Sequence, residues 1–537
     1  MKGVAVAVGL VVVLAWSARI ASAASWFVDS AVAVSGNGQS WAGAWKTFAN
    51  IVWGSVQPGD TVFISGGTTS KNYAGNLVVG TNGTSDTARV TVRIGQDPGH
   101  TGRAILSGSL QLNNRSFVTI DGSVNGVRSI EIVNSEVQAQ TTSNSTIQYL
   151  EIHGPGASIQ GQFSGAGLRI SFNYLYDISA DAAISVANSA QPVGYDRQLI
   201  DNNTINLNRD AAGSGGGSDG IQGSWGLTIA NNTFMNTIGT INPTQHQDFI
   251  QMQANYLTVR GNTFIAPADS SMDYDTFNGQ PHHHRIYNNV FILPRGAGIR
   301  YYNSGGNAFT SIDNVLIENN SFVNHTSGHQ WALSFQFFTG TINPTVTNTA
   351  IRNNIFYDCV DPVHIEGSSN ATQANWNFDY NLIHAGPSGT TAITLDGAAY
   401  TQAHPRTGTP SFVAWVENPT NFGSNAFTAP DLHLAASDTA ATGQGDNLSA
   451  VFTTDKDGLA RPSTGAWDVG AYVNRLTAPP TNFTLALVGG LYGLTSVGAG
   501  LTQRAGPTLI GFVHTVMLLI VILGALLLLR RPTHANR

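Results

Sequence analysis

Through the middle of the chain, short apolar runs alternate with single asparagines at one spacing, apolar-x-x-Asn-x-apolar. LTIANNTF carries it at Asn232, LTVRGNTF at Asn262, HRIYNNVF at Asn289 and VLIENNSF at Asn320. The same columns hold at Asn173, Asn203, Asn354 and Asn381. Three residues before these asparagines, in chain order, stand Ile170, Ile200, Ile229, Val259, Ile286, Ile317, Ile351 and Phe378. Two residues after them stand Leu175, Ile205, Phe234, Phe264, Phe291, Phe322, Phe356 and Ile383. The intervals between asparagines are 30, 29, 30, 27, 31, 34 and 27 residues. Units this β-branched, broken by Asn and Gly, do not suit helices. Short strands repeating at such a period predict a parallel solenoid whose coils rise by ~4.8 Å. The apolar columns then stack inside the coil. The asparagines form a ladder at a turn, where Asn tolerates left-handed backbone and its amide bonds the coils above and below.

Two flanking segments extend this reading. The entry, SWAGAWKTFANIVWGSVQPGDTVFISGG, places Trp45, Phe48, Ile51 and Val52 at helical spacing before Pro-Gly-Asp. The exit is FTTDKDGLARPSTGAWDVGAYV, from Phe452 to Val473. With the repeat, these resemble right-handed parallel β-helix proteins of the pectate-lyase-like superfamily, over roughly residues 24–473. The resemblance implies an all-β fold, a single right-handed parallel β-helix with an Asn ladder and an N-terminal capping helix. It leaves function open, because that superfamily holds lyases, hydrolases, epimerases and inert adhesins.

The chain ends suggest export. MKGVAVAVGLVVVLAWSARIASA reads as a signal peptide over residues 1–23, with a small-residue cleavage pattern at Ala21-Ser22-Ala23. Residues 474–506 read as a linker and residues 507–531 as a transmembrane or sorting helix. The 21-residue apolar run Leu509–Leu529 is long enough to span a bilayer, and Arg530 and Arg531 follow it. Residues 532–537 form a short cytoplasmic tail in that reading. Net charge is −7, so no basic footprint for nucleic acid exists. One cysteine, Cys359, excludes a disulfide framework and reads as an inert core thiol. No lysine lies between Asn72 and Asp455, which removes a Lys base from the central coils.

Candidate chemistry begins with a repeated string. Asp219-Gly-Ile-Gln and Asp248-Phe-Ile-Gln stand 29 residues apart, with Asp275 placed similarly before Asn289. Asp219, Asp248 and Asp275 are therefore expected to stack in neighbouring coils. Like charges at that spacing repel. A shared Ca²⁺ ion would relieve the repulsion, as would a protonated carboxyl. The alternative is that each Asp bonds backbone N–H groups at a turn. Gln222, Gln251 and Asn278 occupy the matching fourth positions and are candidate substrate contacts. Arg300 is expected to join the aspartate column. His246, two residues before Asp248, is a candidate general base. Tyr301 and Tyr302 offer phenolic protons, and His283 in the His282-His283-His284 run is expected to project outward. His282 and His284 share the other face, with no carboxylate nearby in sequence to complete a zinc site.

Signatures of polygalacturonase-like enzymes and of typical pectate lyases are absent. His-x-Asp-x-Ile-Gln resembles strings in bacterial β-helix proteins suspected of lyase or epimerase action on uronate polymers. The resemblance therefore implies an extracellular polysaccharide ligand and β-elimination on a uronic-acid polymer. A non-catalytic glycan-binding or envelope protein is the rival reading, with C5-epimerase and glycoside hydrolase as further ones.

Overall fold

The computed structural model describes residues 23–474 except 189–193, 209–217, 237–246, 254, 266–272, 275–280, 293–296, 303–310, 324–330, 337–344, 367–375, 386–392, 396–397 and 416–429. Within them the chain winds as a right-handed parallel β-solenoid. Three long sheets form its walls, of 14, 12 and 13 strands. Each coil contributes one short strand to each sheet. Leu227–Ala230, Thr233–Met235 and Ile250–Gln253 are successive examples from the first, second and third sheets. The signal segment through residue 22, the linker and the C-terminal apolar run lie outside the described residues. Among the described residues no helix is long and apolar enough to cross a membrane.

The corner between the first and second sheets explains the double asparagines. Its first residue takes left-handed backbone, with φ of 56° at Asn202 and Asn231, 55° at Asn288 and 51° at Asn319. Asn adopts that region more readily than other side chains. The second residue turns inward and forms the ladder. Asn232 Nδ2 donates to Asn262 Oδ1 at 3.1 Å and to the Ile200 carbonyl at 2.9 Å. The same amide-to-amide step runs unbroken from Asn173 to Asn381, and Gln402 closes it. Behind the ladder, the rings of Phe234, Phe264, Phe291, Phe322 and Phe356 stack at 4.6–5.0 Å. Each is fully buried, which stabilises by about 1.5–3 kcal/mol per side chain before stacking is added. Cys359 is buried in this core, as its sequence context predicts.

The start of the solenoid differs from the expected capping helix. Two 3₁₀ turns, Phe48–Asn50 and Trp53–Ser55, stand there instead. Trp45, Phe48 and Ile51 are buried, but Val52 is exposed. Asp60 of the Pro-Gly-Asp turn fixes the first strand. It accepts from Ala24 N–H at 2.7 Å and from Trp26 Nε1 at 2.9 Å.

The outward residue of the corner has its own use. It forms a second row, Asn231, Gly261, Asn288, Asn319 and Asn353, and the exit segment docks along it. Asn288 Nδ2 donates to the Thr454 carbonyl, Asn319 Nδ2 to Asp468, and Asn353 Nδ2 to Asp446, at 2.7–2.8 Å. Lys456 Nζ donates to the Gly261 carbonyl at 2.5 Å. The lysine missing from the central sequence is thus returned to the central coils by the fold.

Candidate functional site

Strand alternation in the third sheet sorts the candidate residues. Ile221 and Ile250 point inward and are fully buried; their neighbours Gln222 and Gln251 point outward. Register then aligns one row of positions across successive coils, Gln222, Gln251, Asp273, Arg300, Ser334 and His364, in which Arg300 and Ser334 are buried. Gln222 Nε2 donates to Gln251 Oε1 at 3.1 Å. The guanidinium of Arg300 lies 4.8 Å from the Tyr302 ring centroid, a cation–π contact between two side chains on one face.

The aspartates occupy a different position. Asp219 and Asp248 sit at equivalent places in adjacent coils, and both are buried. Asp219 Oδ1 accepts the Asp248 backbone N–H at 2.9 Å, and its Oδ2 accepts Gln222 Nε2 at 2.8 Å. Asp219 therefore holds the corner and orients Gln222. Arg300 stands in the glutamine row and not in the aspartate column, because the intervening strand Asp273–Tyr274 pairs Gln251 with Asp273. His246, Asp275 and Asn278 lie outside the described residues.

The two tyrosines part company. Tyr302 lies on the outer face beside Arg300. Tyr301 is 1% exposed inside the coil, stacked on Phe335 at 4.7 Å and hydrogen-bonded to His284 Nδ1 at 3.0 Å. Adjacent strand residues face opposite sides, so only one of them can meet a ligand on this wall.

Sequence reasoning missed His364 in this row. His364 Nδ1 lies 3.3 Å from Asp361 Oδ2, and Trp331 stacks on the imidazole at 4.7 Å. Both members of the pair are about one-fifth exposed, 21% and 22%. The carboxylate stands at ion-pair distance beside an imidazole, the side chain best suited to take a proton near neutral pH. The signal was Asp361-Pro-Val-His364 immediately after the Asn354 ladder unit. Arg300 and His364 are two coils apart, roughly 10 Å along the row.

His283 is placed on the first-sheet side, away from this row. Its backbone is left-handed at φ 62°, its ring stacks on Tyr256 at 4.6 Å, and its buried Nδ1 has no hydrogen-bond partner. Register pairs His282 with Asp313 one coil on. His282, His283 and Asp313 bring three potential ligand atoms within 4.8 Å of one another. The carboxylate missing from the local sequence is supplied by the next coil. Hydrogen bonds from Thr347 and then Asn348 hold the Asp313 carboxyl below its usual range, while burial pushes the His282 imidazole down. Both shifts favour the ligand-competent forms. Two imidazoles and one carboxylate suit a borderline transition ion such as Zn²⁺ better than Ca²⁺, which prefers six to eight oxygens.

No family model and no curated protein matches the chain. Among solved structures, it is similar to pectate lyase Pel9A (14% identity, 85% of this chain and 98% of that one, TM-score 0.42). It is also similar to a mannuronic acid specific polysaccharide family 6 lyase from human gut microbiota (15%, 66% and 87%, TM-score 0.40). A third, XylC in complex with xylose, matches at 10% identity over 84% and 98%, with a TM-score of 0.49.

Proposed function

We propose that this chain acts on an extracellular uronic-acid polysaccharide by β-elimination along the outer face of the third sheet. The observation that carries the reading is the third-sheet row through Arg300 and His364, with Tyr302 beside the one and Asp361 against the other. Arg300 pairs with the uronate carboxylate and removes its charge, which acidifies the C5 proton. A histidine takes that proton: His364, held by Asp361, in the described residues, or His246 of the second Asp-x-Ile-Gln strand. The electron pair forms the C4–C5 double bond as the C4–O4 bond breaks. The Tyr302 phenol protonates the departing oxygen. Gln222 and Gln251 hold sugar hydroxyls further along the row, and Asp219 keeps Gln222 in place.

A Ca²⁺ ion on Asp219, Asp248 and Asp275 is the alternative charge carrier, and Asp219 already accepts one N–H donor on each oxygen. Neutralisation is assigned to Arg300 instead. The test is incubation with polygalacturonate and alginate, followed by ultraviolet absorbance of the unsaturated product. Arg300→Gln and His364→Gln should each abolish product formation while melting like the wild type. Binding without product on any uronate polymer would instead make the row a non-catalytic glycan site. Product with no unsaturation would indicate hydrolysis or epimerisation.

A further inference from the structure

A cleft of about 640 Å³ opens between the exit segment and the corner of the coils carrying Asn231, Gly261 and Asn288. Its wall from the coils presents Asn231, Arg260 and Tyr287; its wall from the exit segment presents Phe452 and residues Thr453–Gly458. It exists because Gly261 interrupts the outward asparagine row. A side chain there would press within 2.3 Å of Asn231 Oδ1. Lys456 reaches into the gap and donates to the Gly261 carbonyl.

The cleft carries two cations, Arg260 and Lys456, and two carboxylates, Asp455 and Asp457, and they are not paired one to one. Arg260 is half-buried, with neither a carboxylate at ion-pair distance nor a hydrogen bond among the described residues. The two nearby carboxylates are committed elsewhere. Asp455 accepts from the backbone N–H groups of Asp457, Leu459 and Val473. Asp457 pairs with His433 Nε2 at 2.7 Å. Arg461 is turned to Asn288 Oδ1 and the Gly470 carbonyl. Burial pushes the Lys456 ammonium down to about 8, against the opposing pull of Asp457 and Asp455. Tyr287 stacks on Phe452 at 4.4 Å and supplies a flat apolar wall beside the two cations.

We propose that this cleft is a second saccharide site, taking the carboxylate of a uronate on Arg260 and Lys456 and its ring against Tyr287, which the buried Phe452 backs. Arg matches a carboxylate bidentately, and the exposed Asn231 amide is placed to bond a hydroxyl. The volume falls within the range of small-ligand pockets. The site lies on the first-sheet corner and does not depend on the reading of the third sheet.

The test is calorimetric titration of the full chain with trigalacturonate, its methyl ester and inorganic sulfate. The Arg300→Gln background keeps binding at the third-sheet row from masking the result. Trigalacturonate should bind, and the uncharged ester about tenfold more weakly, as for loss of one charge-assisted contact. Arg260→Gln should lose about the same factor with an unchanged melting curve, since Arg260 has no hydrogen-bond or ion-pair partner among the described residues to forfeit. Affinity should also fall between about pH 7 and about pH 9 as Lys456 discharges, and fall less in Lys456→Met. Equal binding of acid and ester, no effect of Arg260→Gln, or sulfate competing as well as trigalacturonate would each overturn the proposal. So would the absence of any bound trigalacturonate.

Discussion

The asparagine ladder can be tested at one rung, Asn262. This side chain is fully buried in the corner. Its Nδ2 donates to the Ile229 carbonyl at 2.9 Å and to Asn289 Oδ1 at 3.0 Å. Its Oδ1 accepts the Asn232 backbone N–H at 2.9 Å and Asn232 Nδ2 at 3.1 Å. In Asn262→Ala, Asn289 Oδ1 keeps the Asn262 backbone N–H and Asn232 Nδ2 keeps the Ile200 carbonyl. Two buried groups lose a partner: the Asn232 N–H and the Ile229 carbonyl. At about 1–3 kcal/mol for each, the loss is about 2–6 kcal/mol. That is a large fraction of a typical stability of about 5–15 kcal/mol. Urea unfolding followed by circular dichroism measures it, with Asn231→Gly as the comparison. Asn231 is the exposed left-handed neighbour, where Gly suits the backbone, so that variant should stay within about 1 kcal/mol of wild type. If Asn262→Ala were equally mild, the ladder would be an ornament of the turn and not a support of the coil.

Two further outcomes follow from side-chain clusters away from the third sheet. His433 is held between Asp457 and Asp431, and the hydrogen bonds it donates, first to Asp457 and then to Asp431, raise its pKa. Its stabilisation is complete below about pH 6.5 and is lost as pH rises through the higher folded value; the effect is at most about 1 kcal/mol at this part-exposed site. Melting midpoints of wild type should therefore drop over that interval, and those of His433→Asn should not. For His282, His283 and Asp313, Zn²⁺ at about a hundredfold excess over its dissociation constant should stabilise the fold by about 2.7 kcal/mol. The gain, read from denaturant midpoints with and without chelator, should vanish in His282→Gln and in Asp313→Asn; a gain that persists in both variants would place the ion elsewhere.

The legible part of this chain was whatever repeats once per coil. Asn173 to Asn381, the isoleucines three residues before them and the phenylalanines two after them occupy the predicted columns, because each coil repeats the same packing problem. The earlier coils were silent, since their corners use other residues: Leu150 stands at the rung before Asn173, and only its backbone N–H joins the ladder, donating to Asn173 Oδ1. The candidate site was read less well, for three physical reasons. Residues adjacent in sequence were grouped as one surface, yet strand alternation turned Tyr301 inward beside His284 while leaving Tyr302 out. The unequal coil between Gln251 and Arg300 shifted the register, so Arg300 met the glutamine row. Partners one coil apart, such as His282 and Asp313, are about 30 residues distant in sequence and invisible to local motif reading.

The docking of the exit segment on the outward asparagines has a consequence for how the molecule comes apart. A free solenoid can fray from either end, one coil at a time, because each coil touches only its neighbours. Here a strap runs lengthwise across the coils of Gly261, Asn288, Asn319 and Asn353 and is fastened to each. None of these coils can peel away without tearing the strap from the others, so a stepwise erosion becomes a collective event. The exit segment thereby locks coils synthesised between 93 and 195 residues earlier, and the assembled wall becomes fully secure only once that segment is in place.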